Sequence, residues 1–265
     1  MNDEVMLCKV RISAGYPGKP RVLSGLRLEI QAGETLGLVG ESGSGKSTLA
    51  LSLMRLFHLK GGQVEGEFYF RGRDLMKLSE SEMRSLRGKE IALVLQSPLA
   101  ALNPALKLST QLREAWKVHA PAGGQGFDTM VKELMTSVSL PADGSLLERY
   151  PKELSVGQAQ RMLIAMAVMH RPALLIADEP TSALDVITQK DILELFGRLS
   201  RERNMALLFI SHDLPAVSTL CERMAIIRNG EIVECASTVE ILKDPQHEYT
   251  QQLLDSLPRR NVAEG

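Results

Sequence analysis

The sequence is poor in aromatics, poor in cysteine and almost without net charge, and each shortage excludes something. Aromatic residues make up 4% of its 265 positions, so a core has to be built from Leu, Ile, Val, Met and Ala. Cysteine occurs only as Cys8, Cys221 and Cys235. The count is odd, the spacings are wide and there is no Cys-x-x-Cys pair, which argues against a disulfide framework or a zinc site and for reduced, buried thiols. The 31 Lys and Arg nearly balance the 32 Asp and Glu, leaving a formal charge of −1. Without a basic run, the phosphate attraction that drives nucleic-acid binding is missing, and no nucleic-acid partner is expected. Long apolar runs are also absent. The longest, Met162 to Met169, is eight residues, where a bilayer span takes about twenty. The opening Met1-Asn2-Asp3-Glu4 is acidic and lacks an apolar signal core. The expectation is a chain neither secreted nor membrane-spanning by itself.

What is present is ordinary for a globular protein: 44% hydrophobic and 24% charged residues. The length suits one α/β domain with a modest insertion. Strand patterns occur at residues 5–14, 26–30, 35–39, 68–70 and 91–95, and return at 173–177 and 206–210. Helical patterns fall at 49–56 and 187–202. Between Pro98 and Met169 strand signals fade, and Met130, Val131, Leu134, Met135 and Val138 follow a 3.6-residue period. That stretch reads as a helical insertion, with a surface loop at Gly123-Gly124-Gln125-Gly126. Met224–Ile227 and Glu231–Glu234, joined by Arg228-Asn229-Gly230, read as a β-hairpin. The tail after Pro258 is polar and expected to fray. Strands alternating with helices imply a parallel sheet.

Two motifs carry chemistry. Gly40-Glu41-Ser42-Gly43-Ser44-Gly45-Lys46-Ser47 fits G-x-x-x-x-G-K-[ST] after a buried strand and before a helix. Glycines let successive backbone N–H groups turn inward on phosphate oxygens, and the helix adds its positive end. Gly40, Ser42, Gly43, Ser44 and Gly45 would form the cradle. Lys46 would reach the β- and γ-phosphates, the Ser47 hydroxyl would ligate Mg²⁺ and Thr48 would bond the α-phosphate. The second motif is an apolar strand ending in Asp178-Glu179, at the sheet edge where open α/β folds bind ligands. Asp178 suits a magnesium ion and Glu179 the polarising of an attacking water. His212 ends the next strand, where it could sense the γ-phosphate.

Leu154-Ser155-Val156-Gly157-Gln158 resembles the LSGGQ signature of ABC ATPases and lies between those two motifs, as in that family. Ser155 and Gln158 make a capping box, which leaves the helix N-terminus able to hold an anion. The resemblance implies that this anion is the γ-phosphate of ATP bound to an opposing subunit, so that Ser155, Gly157 and Gln158 complete a nucleotide site in trans. Val156 stands where the family usually has glycine. By the same resemblance Tyr16 stacks on adenine, Gln96 contacts Mg²⁺ and water and links to the membrane domain, and Ser182-Ala183-Leu184-Asp185 crosses the dimer interface. Catalytic roles then fall to Glu179, His212, Lys46 and Gln96, and metal contacts to Ser47, Gln96 and Asp178.

The implied fold is an α/β P-loop NTPase (RecA-like) core with a mainly parallel sheet, an N-terminal antiparallel β subdomain and an inserted α-helical subdomain. Residues 1–258 form one ABC ATPase domain: 1–97 and 170–240 the ATP-binding core, 98–169 the helical signature subdomain, 241–258 a C-terminal helix, and 259–265 a frayed tail. A narrower resemblance, to the oligopeptide, dipeptide and nickel importers, rests on Gln96-Ser97-Pro98-Leu99-Ala100-Ala101-Leu102-Asn103-Pro104, Tyr150-Pro151-Lys152-Glu153-Leu154-Ser155 and Asp244-Pro245-Gln246-His247-Glu248-Tyr249-Thr250. It implies ATP and Mg²⁺ as cofactors and uptake of peptides or nickel and other metal chelates. The implied partners are integral membrane permease subunits, a second ATPase subunit (a heterodimer favoured) and an extracytoplasmic substrate-binding protein. The implied location is the cytoplasmic face of a bacterial inner membrane. The lack of a longer cysteine-bearing C-terminal segment leans toward metal chelates. An exporter ATPase, a soluble ABC ATPase of DNA repair or translation, and a catalytically weak regulatory subunit remain the alternatives.

Overall fold

The computed structural model describes residues 6–120 and 126–256. Strict alternation starts the fold. In β1 (Met6–Gly15) Cys8, Val10, Ile12 and Ala14 are buried while Lys9 and Arg11 are exposed, so one face of the strand has to be covered. β1 pairs antiparallel with β2 (Arg21–Gln31) and β4 (Gln63–Phe70), and the two-residue β5 (Arg73–Asp74) completes an antiparallel sheet ordered β2-β1-β4-β5.

The second sheet runs β10 (Glu231–Ser237), β9 (Arg223–Arg228), β3 (Thr35–Val39), β8 (Ala206–Ser211), β7 (Leu174–Asp178), β6 (Ile91–Val94). All neighbours pair in parallel except β10 with β9. Its central strands are apolar on both faces, as a sheet covered on both sides requires. The two-residue period divides them between two cores. Leu174 and Ile176 of β7 and Leu208 and Ile210 of β8 pack with the antiparallel sheet and α1 (Lys46–Leu53). Leu175, Ala177, Leu207 and Phe209 face the helices of the other side. Each such buried Leu, Ile or Phe contributes about 1.5–3 kcal/mol.

α2 (Glu80–Leu86) follows β5 and starts on a capping box between Ser79 and Glu82. The insertion contributes α3 (Pro98–Ala101), α4 (Leu108–Lys117), α5 (Phe127–Ser137) and α6 (Val156–Val168). These close over the second core through Leu112, Val131, Met135, Met162 and Ala165. α7 (Val186–Arg203) buries Ile192, Leu195, Phe196 and Leu199 at helical spacing, and Asn204 ends it in the left-handed region. α8 (Leu214–Leu220) starts on an Asp213 cap.

Two sequence expectations need adjustment, and one helix was not expected. The helix expected at 49–56 runs from Lys46 to Leu53, directly out of the glycine loop, because Arg55 turns left-handed at φ 51°. The single helix expected over 241–258 is two, α9 (Thr238–Lys243) and α10 (Glu248–Asp255). Pro245 is the physical reason: it offers no N–H and pushes Asp244 out of the helical region, to φ −144°, ψ 64°. α2 went unread, although Ser79-Glu80-Ser81-Glu82 carries the S-x-x-E start signal. The expected loop at Gly123-Gly124-Gln125 and the tail at 259–265 lie outside the described residues. Among the described residues no helix is long and apolar enough to cross a membrane.

Candidate nucleotide site

β3 delivers the chain to Gly40, and α1 takes it away at Lys46. The loop between them curls through left-handed residues, with φ 83° at Gly43 and 107° at Gly45, which L side chains rarely adopt. Gly40 is required for space: a Cβ there would lie 2.3 Å from the Ile227 carbonyl and 2.9 Å from Ser44 Oγ. The β9–β10 turn braces the loop from outside, where Gly230 N–H donates to the Ser44 carbonyl at 3.1 Å. Lys46, only 6% exposed, folds back into the loop and donates to the carbonyls of Gly40 (2.8 Å) and Glu41 (2.9 Å). Burial lowers its pKa, and the nearby Glu179 and Asp178 carboxylates oppose that shift. Ser44 Oγ is buried with no hydrogen-bond partner among the described residues. The Ser44 hydroxyl has no partner among the described residues and the three-donor ammonium has two carbonyls, so both keep donor capacity that phosphate oxygens could fill. Ser42 and Gly43 lie exposed at its mouth, with Thr48 one turn into α1.

The C-terminal ends of β7 and β8 supply the opposite wall. Ser47 Oγ donates to Asp178 Oδ1 at 3.1 Å. Burial raises the Asp178 pKa, opposed by that bond. Glu179 is held at φ 50°, a costly conformation for a residue with a side chain, by its N–H bond to the Ile210 carbonyl at 2.9 Å. That twist turns its carboxylate toward two groups: Lys46 Nζ at 3.8 Å and His212 Nδ1, which donates to it at 2.7 Å. Lys46, Glu179 and His212 are thus connected through the two oxygens of one carboxylate at the strand ends. Gln96 joins through an intermediate: its Nε2 donates to Ser182 Oγ at 3.4 Å, and that hydroxyl donates to the Glu179 carbonyl at 3.1 Å.

The signature residues are assembled separately. Ser155 caps α6, accepting from Gln158 N–H at 3.2 Å while its own N–H donates to Gln158 Oε1 at 3.1 Å. Asp185 caps α7 with bonds from the N–H groups of Thr188 and Ile187, which hold its carboxyl below the usual range. Thr188 links the two caps, because a Cβ on Gly157 would sit 2.8 Å from its methyl. Among the described residues no hydrogen bond joins Ser155, Gly157, Gln158 or Asp185 to the phosphate loop. Tyr16 is 37% exposed and meets Phe57 edge-on at 5.2 Å.

Comparison with known families assigns the arrangement. The model of the family described as ABC transporter matches residues 23–182, from within β2 through the phosphate loop, the signature and the Asp178-Glu179 pair to Ser182. The chain belongs to the ABC transporter family. It is 41% identical over 244 residues to the oligopeptide transport ATP-binding protein OppD of Bacillus subtilis (strain 168), covering 92% of this chain and 68% of that protein. It is also 41% identical over 246 residues to the glutathione import ATP-binding protein GsiA of Escherichia coli (strain K12), covering 91% of this chain and 40% of that protein. The chain therefore spans less than half of the glutathione protein. Among solved structures, the dimeric bacterial ABC transporter cassette MJ0796 aligns with a TM-score of 0.75 at 26% identity, over 88% of this chain and 99% of that one. A dimeric post-hydrolysis state of the same cassette, bound to ADP and Pi, aligns with a TM-score of 0.74.

Within this ABC cassette, sequence reading had no access to several contacts. Ser182 was visible as part of a loop, not as the link between Gln96 and Glu179. Thr188 carried no signal at all, and neither did the bracing of the loop by Gly230, since these pairs are distant in the chain.

Proposed function

We propose that this chain is the ATP-hydrolysing subunit of an ABC importer for small peptides or metal chelates. The observation that carries the proposal is the linked group of Lys46, Glu179 and His212 set against a glycine loop with an unpaired Ser44 hydroxyl. Two relatives, one named for oligopeptide transport and the other for glutathione import, favour the importer reading over the exporter and DNA-repair alternatives, and favour peptides as cargo.

The geometry and the family resemblance support the following roles. ATP is the substrate, with its adenine on Tyr16 and its phosphates on the N–H groups of Gly40 and residues 42–48. Lys46 exchanges its two carbonyl partners for phosphate oxygens. Glu179 orients a water toward the γ-phosphate, and His212 holds the Glu179 carboxylate in place. Gln96 carries the state of Glu179, through Ser182, to the membrane partner. Ser47, Asp178 and Gln96 offer the hard oxygen donors that suit Mg²⁺. When bound, that ion would neutralise charge on the β- and γ-phosphates. Ser155, Gly157, Gln158 and Asp185 serve the nucleotide of a second ATPase subunit. Residues 1–97 and 170–240 form the ATP-binding core, 98–169 the signature subdomain and 241–258 the C-terminal segment. The remaining partners are permease subunits and, through them, a substrate-binding protein. The complex sits at the cytoplasmic face of the bacterial inner membrane.

A tagged chain, pulled from detergent-solubilised membranes and analysed by mass spectrometry, tests the reading. Two integral membrane proteins should co-purify. Recovery of soluble partners alone, such as repair proteins or ribosomes, would overturn the transport claim.

A further inference from the structure

The C-terminal segment reaches into the phosphate loop at one atom. Glu41 N–H, inside the loop, donates to the hydroxyl oxygen of Tyr249 at 3.2 Å. That N–H belongs to the same peptide unit as the Gly40 carbonyl, which accepts from Lys46 Nζ at 2.8 Å. One peptide plane is therefore held at both ends, by Tyr249 on one side and by Lys46 on the other. Gly40 has no side chain to resist rotation of this plane, and rotation would carry its carbonyl away from Lys46 and toward Tyr249.

Tyr249 is itself fixed from several directions. Its side chain is 3% exposed. The Arg228 guanidinium lies 4.7 Å from its ring centroid, and Arg228 ends β9, the strand next to β3. Its own N–H donates to His247 Nδ1 at 3.1 Å. The start of α10 is tied to β10, where the Glu234 carboxylate accepts from Gln246 N–H (2.8 Å) and His247 N–H (3.0 Å). The hydroxyl thus arrives at the loop on a braced support.

We propose that Tyr249 is a positioning residue of the nucleotide site, setting the Gly40–Glu41 peptide so that the loop is ready for phosphate. The proposal rests on the ATP-binding reading above. It makes the segment after Pro245 part of the nucleotide site, although that segment contributes no atom to the phosphate cradle itself.

The test is Tyr249→Phe, which removes one oxygen and keeps the ring against Arg228. A net hydrogen bond is worth about 0.5–1.5 kcal/mol, so the Kd for ATP, read by fluorescent-nucleotide titration, should rise about 2- to 12-fold. The effect should fall on KM, with kcat at saturating ATP unchanged and the melting temperature lowered by no more than a few degrees, as the loss of one such bond implies for a chain of this size. The Glu41 amide proton should move upfield in a ¹⁵N-resolved spectrum, reporting the lost bond directly. An unchanged Kd with an unchanged Glu41 resonance overturns the proposal. So does a drop in melting temperature well beyond that of one hydrogen bond, which would mark general packing. Failure of the wild-type chain to bind ATP would instead overturn the underlying reading, so the two failures are distinguishable.

Discussion

Replacing Glu179 with Gln removes one charge and almost no volume. The backbone need not respond, since Gln tolerates φ 50° as well as Glu does. Two consequences follow, of opposite sign. The first is on the chemistry: a positioned general base contributes about 10²- to 10⁴-fold, so kcat should fall by that factor. The second is on binding. Glu179 Oε1 stands 3.8 Å from Lys46 Nζ, and at an effective dielectric constant of about 20 such a pair attracts by about 4 kcal/mol. Phosphate has to compete with that carboxylate for the ammonium. Asp178 and the loop carbonyls remain as partners, so only part of the attraction is released, on the order of 1–1.4 kcal/mol. ATP should then bind about five- to tenfold more tightly. Phosphate release under steady state and a nucleotide titration read the two effects separately. A kcat within about threefold of wild type would remove Glu179 from the chemistry. Weakened ATP binding would refute the electrostatic argument.

Two further outcomes follow from contacts outside the phosphate loop. Gly157→Ala places a Cβ 2.8 Å from the Thr188 methyl and should cost about 1–3 kcal/mol in denaturant unfolding. Thr188→Ser in the same chain should recover most of it, and an additive double mutant would deny the contact. His170 stacks on Trp116 at 5.3 Å, donates to the Ala115 carbonyl at 3.2 Å, and has His119 edge-on at 5.2 Å with Lys89 nearby. Burial, chiefly, lowers its pKa from 6.5, with His119 and Lys89 adding to the shift and the carbonyl bond opposing it. The folded chain then binds fewer protons there than the unfolded one. Its contribution to stability is full above pH 6.5 and is lost as pH falls through the folded value. The melting temperature should drop between about pH 7.5 and about pH 5.5, and His170→Gln should flatten that slope. Identical slopes would exclude His170 as the source.

Much of this molecule is legible before any coordinates. The alternation in residues 8–14 specifies a half-covered strand, and the unbroken apolar runs at 174–177 and 206–210 specify strands covered on both faces. The phosphate loop announces itself because its chemistry needs glycines at fixed offsets within one short stretch. The Ser155–Gln158 capping box is local for the same reason. What stayed hidden is non-local. Nothing in the spacing says that Tyr249 touches Glu41, 208 positions away, or that Ser182 stands between Gln96 and Glu179. Periodicity also misses a break set by one residue, so Pro245 divided a segment read as a single helix.

The central claim is that the Lys46 loop and the Ser155 helix serve one nucleotide from two chains. Light scattering on the Glu179→Gln chain, alone and mixed with any ATPase subunit that co-purifies with it, reads this directly as mass with and without Mg²⁺-ATP. ATP should convert monomers to a two-ATPase particle, and either Lys46→Met or Ser155→Arg should abolish the conversion, the second while leaving ATP binding to the single chain intact. A particle that stays monomeric with ATP bound, or that pairs equally well with Ser155→Arg, would contradict it.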